Sequence, residues 1–439
     1  MLEIQKKLKS SFFVILSLPS TAMGFALSIQ IAALSWILNT KYGFDIHEVG
    51  IVWAAGPIAG IIGQPLAGLA SDKVWFLGGR RRPFILIGGV LTALMLLALP
   101  NIHVISDALG FEPTKAASEL GEGQVPASIY VAIAVALILD LSINISFNPT
   151  RSIIADVTTD DTVTKGYTWM QTISGTFGVL AYFIGSVLGN IELIYVGVIL
   201  VFVFSVIPVF FIEEPEELSQ GEENNEEGGR KETDITGFVK VLLAHAPTWV
   251  GIQTMFVFMF AYVQQEYPDF SSKEVGSVIN WSFLIFNAVA AVLPAFILEP
   301  ITHKIGRVKT HAICIAIMAV GYAGMIFLGG TSEYMIYGMM VILGIGWAAT
   351  VSLPFAIMSE KVAKAKMGFF MGIFNLSVVL PQLAVSAFIG GILAEAEDKT
   401  LMFYIASISL AISAVLWFFV KDNGPVGNSN SAPSGGGHH

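Results

Sequence analysis

The stretch Leu139-Asp140-Leu141-Ser142-Ile143-Asn144-Ile145-Ser146-Phe147-Asn148-Pro149-Thr150-Arg151 sets an acid, two amides and a base into an otherwise apolar run. At the helical turn per residue, Asn144, Asn148 and Arg151 lie about 40°, 80° and 20° around the axis from Asp140. One face therefore carries all four. An ionised side chain at the centre of a bilayer costs at least about 2.5 to 3.5 kcal/mol, so such a stripe has to face a helix-bundle interior or a wet cavity. The backbones of Asp140 and Arg151 are roughly 16 Å apart along the helix, too far for a simple ion pair. An unpaired carboxylate out of water favours its protonated form. Asp140 is thus the expected proton carrier, the plainer alternative being a carboxylate held permanently by hydrogen bonds between helices. Arg151 keeps its charge and is expected to donate to substrate hydroxyls or to act on Asp140; snorkelling towards the membrane surface is the other reading.

The second half of the chain offers amides in place of charges. Asn280 and Asn287 are seven residues apart, as are Asn375 and Gln382, so each pair shares a helix face to within about 20°. Gln253 and Gln264, eleven apart, do likewise. Amides both donate and accept, which suits a neutral polyhydroxyl ligand, and Trp53, Trp169, Trp281 and Trp347 offer flat surfaces for a sugar ring. Taken singly, each of these residues reads equally as an interhelical hydrogen bond or an interfacial anchor. Asn144, Asn148, Arg151, Gln253, Asn280, Asn287, Asn375 and Gln382 form the expected substrate set. Asp72 with Arg80, Arg81 and Arg82 forms an expected inner gate, whose charge-assisted pairs hold in one transport state and release in the other. An anchor made of positive charge alone is the alternative.

These residues need long helices to position them, and the composition supplies them. The chain of 439 residues is 54% hydrophobic and 13% charged, whereas a soluble domain is about a quarter charged. Apolar runs reach the roughly 20 residues that cross a hydrocarbon core. Reading hydropathy against charged breaks gives an all-α membrane protein of twelve transmembrane helices in two pseudo-symmetric six-helix bundles. The expected boundaries are 1–212 for the first bundle, 213–236 for an acidic, solvated cytoplasmic linker, 237–422 for the second bundle, and 423–439 for a disordered tail ending in an appended Gly, Ser and His tag. With both termini cytoplasmic, eighteen of the 23 Lys and Arg fall on the inner side, as the positive-inside rule requires. The expected location is the cell's inner (plasma) membrane. The net charge of -10 comes largely from acids between Glu213 and Glu232 and in outer loops, and no nucleic-acid surface is read from it. The single cysteine, Cys314, allows no intramolecular disulfide and no metal-ligand spacing.

The halves also echo each other. Pro149-Thr150-Arg151, Ala155-Asp156 and Lys165-Gly166 are answered by Pro354-Phe355-Ala356, Ser359-Glu360 and Met367-Gly368, and Gly79-Arg80-Arg81 by Gly306-Arg307. Weak repetition of this kind is common in transporters.

Gly68-x-x-x-Asp72 followed by Arg80-Arg81-Arg82-Pro83 resembles the loop pattern of the major facilitator superfamily. Gly79-Arg80-Arg81-Arg82-Pro83-Phe84-Ile85, Leu139-Asp140 through Asn144, Pro149-x-Arg151 and Ala155-Asp156 are similar to segments of the plant sucrose-proton symporters and their bacterial and animal relatives. Gly346-Trp347-Ala348, Leu353-Pro354-Phe355-Ala356, Met371-Gly372-Ile373-Phe374-Asn375 and Pro381-Gln382 resemble the same group's tenth and eleventh spans, and His47 stands where plant members carry a histidine. The likeness covers most of the chain. It implies a proton-coupled importer of α-glucosides such as sucrose or maltose, with Asp140 and Arg151 matching residues of coupling and substrate binding. The first span departs from the group, reading Ala22-Met23-Gly24 where relatives tend to place a glutamine.

No nucleophile with a base at matching spacing, no metal cluster and no phosphate loop marks an enzyme. No cofactor is expected beyond the proton as coupling ion. The expected partners are a sugar and the lipid bilayer, with a functional monomer. A sodium-coupled carrier or exporter of another polar solute stays open, because amides do not encode direction, and so does a transporter-like sugar sensor.

Overall fold

A computed structural model describes residues 10–111, 128–158, 160–214, 232–363 and 367–421. They are helical almost throughout; one isolated bridge, Phe76 to Gly79, closes a turn. Peptide groups in lipid have no water to bond, so a spanning segment has to satisfy its own backbone, and a helix does so. Ten helical stretches among the described residues are long and apolar enough to cross a membrane. The fifth expected span, Asp160–Val187, is 28 residues long but begins with a polar turn. The twelfth, Leu401–Trp417, is apolar over 17 residues. These two complete the twelve read from the sequence.

Serine and threonine sit inside the spans at little cost because their hydroxyls bond back to carbonyls one turn earlier, as Ser17 does to Phe13 (2.7 Å), Thr92 to Gly88 (2.7 Å) and Thr350 to Gly346 (2.8 Å). Prolines 19, 149, 247, 354 and 381 each remove an intrahelical bond from a span. The eleventh span, Met367–Ala384, continues past Pro381 into a π-helical turn, Val385–Ile389, and the eighth, Ser272–Leu293, into another, Pro294–Leu298. The second span is broken at Ala54 into Ile46–Trp53 and Ala55–Lys73. Its start is fixed by a capping box, with Asp45 accepting from the Glu48 amide at 2.8 Å and Glu48 from the Asp45 amide at 2.9 Å.

Contacts divide the chain into two compact units that cut across the sequence boundaries. The first holds the described residues of Met1–Glu226 together with Gln253–Leu284 and Val379–Met402; the second holds those of Glu227–Ile252, Ile285–Val378 and Phe403–His439. Parts of the seventh, eighth and eleventh spans thus pack with the first six. In the first unit the third span (Arg82–Ala98) lies so close to the fourth (Ser128–Val157) that a Cβ on Gly88 would stand 2.7 Å from the Ser142 carbonyl. Small residues permit that approach where no hydrophobic effect drives helices together. The core of the second unit gathers Phe238, Val241, Ile357, Met358, Phe374 and Trp417. Cys314 belongs to that core and is 5% exposed.

Candidate functional site

Asp140 lies midway along the fourth span and is 5% exposed. Its carboxylate accepts a hydrogen bond at 2.9 Å from Nε2 of Gln30, itself 4% exposed on the first span, Ser10–Thr40. Gly56 of the second span makes room for it, since a Cβ there would stand 3.3 Å from Asp140 Oδ2. Among the described residues no ion pair reaches Asp140, as the spacing to Arg151 implied, but the carboxylate is not free of partners. Gln30 was not singled out in the sequence. The available signal was an amide halfway along an apolar helix, and a single amide has no second residue with which to form a spacing pattern.

The stripe grades in exposure along the helix. Asp140 is buried, Asn144 and Asn148 are half-buried, and Arg151 is exposed. Asn144 Nδ2 donates to the Asp140 carbonyl at 2.8 Å. The Arg151 guanidinium stands 4.2 Å from the Phe147 ring centroid, a cation-π arrangement one turn down the same helix. The Tyr167 hydroxyl donates to the Arg151 carbonyl at 3.2 Å. A carboxylate at the dry end and a cation at the wet end can hold a proton and a hydroxyl-bearing ligand at different depths.

The other expected substrate residues are divided between the units. In the first unit Gln382 Nε2 donates to Gln253 Oε1 at 3.2 Å, joining the eleventh and seventh spans. Asn280 is fully buried and donates to Asn190 Oδ1 and to the Gly276 carbonyl, both at 2.7 Å, so it serves as a tie between spans. In the second unit Trp347 Nε1 donates to Asn287 Oδ1 at 3.2 Å, with Phe286 stacked on the Trp347 ring at 5.5 Å. The Asn375 side chain is half-buried, and no side-chain hydrogen bond of its own is found among the described residues. The shared helix faces read from the sequence are present, but facing a neighbour and facing a cavity carry the same spacing.

The arginine loop is built inside the first unit. A Glu214 carboxylate accepts the backbone amides of Arg80 and Arg81 at 2.8 Å each and of Arg82 at 2.7 Å, at the start of the third span. Helix N-termini attract anions in this way. Arg81 is buried, with Nε 3.0 Å from Asp156 Oδ2 and NH1 donating to Ser71 Oγ at 2.8 Å. Arg82 donates to the Val209 carbonyl and, at 3.2 Å, to that of Gly78. The Asp72 side chain lies outside the described residues. Glu214 falls in the stretch read as a solvated linker and instead grips the loop; residues 215–231 of that stretch are outside the described residues. The second unit repeats the device, with Arg307 bonded to Glu360. Two of the four echoes noted in the sequence, Gly79-Arg80-Arg81 with Gly306-Arg307 and Ala155-Asp156 with Ser359-Glu360, therefore hold the members of the ion pairs.

At the end of the first unit remote from the arginines, polar ties join the spans again. Trp36 Nε1 donates to the Ser272 carbonyl at 2.6 Å, Gln264 Nε2 to Asn39 Oδ1 at 2.8 Å, and the Ser277 hydroxyl to the Ser186 carbonyl at 3.0 Å. The second and eleventh spans meet backbone to backbone, where a Cβ on Gly50 would stand 2.8 Å from the Ser386 carbonyl.

Comparisons with known proteins agree with this fold. The family model described as Major Facilitator Superfamily matches residues 16–384. Sucrose transport protein SUC4 of Arabidopsis thaliana is 26% identical, over 86% of this chain and 84% of its own length. Sucrose transport protein SUT2 of Oryza sativa subsp. indica is 25% identical, over 81% and 82%. Among solved structures, the inward open xylose transporter XylE from E. coli superposes with a TM-score of 0.69 at 15% identity, covering 94% of this chain and 96% of that one. The nucleoside transporter NupG gives 0.64 at 13%, covering 93% and 98%. At such identities the solved structures share the fold alone.

Proposed function

The chain belongs to the major facilitator superfamily, and from that premise we propose that it is a proton-coupled symporter importing a disaccharide or related α-glucoside of the sucrose or maltose type. The buried, hydrogen-bonded but ion-pair-free carboxylate of Asp140 carries the reading, since an intramembrane acid marks an ion pathway by default. The curated relatives named as sucrose transport proteins supply the cargo. Asp140 takes a proton from outside, and Gln30 holds the carboxylate in place whether it is charged or neutral. Sugar binds near the bilayer midplane on Arg151, Asn144 and Asn148 and on Gln253 and Gln382 of the same unit. The sequence halves 1–212 and 237–422 then rock about the site, and both ligands leave inside, with termini and arginine loop on the cytoplasmic side of the plasma membrane. The ties of Trp36, Gln264 and Asn280 close the outer side, so Asn280 acts in the gate and not on the sugar. The protein works as a monomer.

The test is uptake by proteoliposomes under an imposed proton gradient. Replacing Asp140→Asn is expected to spare sugar exchange and abolish accumulation against a gradient. Accumulation unchanged in that variant, or uptake that follows sodium at fixed pH, would overturn the reading.

A further inference from the structure

The second unit buries three polar rings that the transport cycle above leaves without a task. His245 on the seventh span, His311 on the ninth and Trp417 on the twelfth are 2%, 0% and 0% exposed. His311 and Trp417 meet edge to face with centroids 4.5 Å apart, and His245 and Trp417 lie 6.5 Å apart. His245 Nδ1, both ring nitrogens of His311 and Trp417 Nε1 are buried with no hydrogen-bond partner. Phe374, stacked on His245 at 5.1 Å, closes one side with a surface that neither donates nor accepts. Burial without a partner costs a polar group about 1 to 3 kcal/mol, and native interiors satisfy nearly all such groups. Four bare nitrogens on three neighbouring rings therefore call for a ligand.

The pattern of donors names it. His245 Nε2 accepts from Trp249 Nε1 at 2.9 Å, which puts the neutral ring's proton on Nδ1. His245 Nδ1 and Trp417 Nε1 are then both donors. The Ala349 carbonyl lies towards the His311 ring; with the His311 proton turned that way, the opposite nitrogen is an acceptor. Two donors and one acceptor match a molecule that accepts twice and donates once. We propose that His245, His311 and Trp417 bind one buried water molecule between the seventh, ninth and twelfth spans. Buried waters typically make about three hydrogen bonds of this kind. The water completes the core where the side chains leave their nitrogens bare, and so ties three helices of the second unit into one block.

The experiment uses the full chain in detergent or nanodiscs. A map near 2 Å resolution is expected to show a peak at hydrogen-bond distance from both His245 Nδ1 and Trp417 Nε1. In ¹⁵N-histidine spectra, the His245 Nδ1 proton is expected to give an exchange peak with water. His311→Phe, nearly isosteric, is expected to lower the melting temperature by about 2 to 4 °C, because it strands the other two donors, and His311→Gln to recover part of that loss. A dry map, or a His311→Phe chain that melts at the same or a higher temperature, overturns the proposal.

Discussion

Among the described residues the Asp140 carboxylate is held by the Gln30 amide, which makes Gln30 testable apart from Asp140. Gln30→Leu leaves a buried carboxylate without its donor and is expected to destabilise the protein by about 1 to 3 kcal/mol. In the double variant Gln30→Leu with Asp140→Asn the penalty is expected to shrink, because the group needing the donor has lost its charge. Thermal unfolding of the four proteins of this cycle measures the coupling, and strictly additive losses would count against it. Gly56→Ala would bring a methyl group within 3.3 Å of Asp140 Oδ2. Small displacements of a reacting group cost up to about 100-fold in rate, so proton-driven uptake is expected to fall by about tenfold or more while the fold survives. The sequence exposed the stripe on the fourth span because charge and amides recur there at helical spacing. Gln30 escaped because its meaning comes only from the carboxylate across from it, and for Asn280 both readings stayed open because spacing does not tell a neighbour from a cavity.

Helices are held at their ends by ion pairs that look alike in sequence and differ in energy. Arg81 and Asp156 are 8% and 12% exposed, while Arg307 and Glu360 are 33% and 22% exposed. Removing one partner of a buried pair costs about 3 to 5 kcal/mol, whereas a solvent-screened pair contributes about 0.2 to 1 kcal/mol. Asp156→Ala is therefore expected to destabilise the protein several-fold more than Glu360→Ala, as read by denaturant or thermal unfolding. At the other end, Gly50→Val drives a side chain into the Ser386 carbonyl and is expected to part the second and eleventh spans. Spin labels on Asp45→Cys and Glu397→Cys would report a longer distance than in the parent. Hydrogen bonds from Thr400 and Gln265 hold the Asp398 carboxyl below the usual carboxylate range. The stability this adds is present above the unfolded group's value and is lost only as pH falls through the depressed one. Amide exchange at Thr400 is expected to keep its protection from pH 7 down to about 5, an interval wholly above the ordinary carboxylate value.

At the scale of the whole molecule, the proposed proton coupling sets a ceiling. One charge moving through 100 mV releases about 2.3 kcal/mol, which supports about 50-fold accumulation of a neutral sugar if one proton accompanies it. Collapsing the potential at constant pH difference is expected to lower the steady-state ratio by that factor, and no change would argue for electroneutral transport. The spans and the twelve-helix plan were legible because apolar length is dictated by the bilayer. The division of contacts was not, because it depends on which ends of the seventh, eighth and eleventh helices pack with the first six, and hydropathy is blind to that. Glu214 was hidden by its neighbourhood, an acidic stretch whose average composition reads as solvated. The echo of Arg80-Arg81 in Arg307 and of Asp156 in Glu360 was visible, and the ion pairs give it a physical meaning.

The chain's one thiol, Cys314, is walled into the second unit's core. Maleimide dyes added to intact vesicles should pass it by, so any cysteine introduced at the surface becomes the sole address for a fluorophore. Conformational exchange can then be followed optically, turnover by turnover, with the native sequence otherwise untouched.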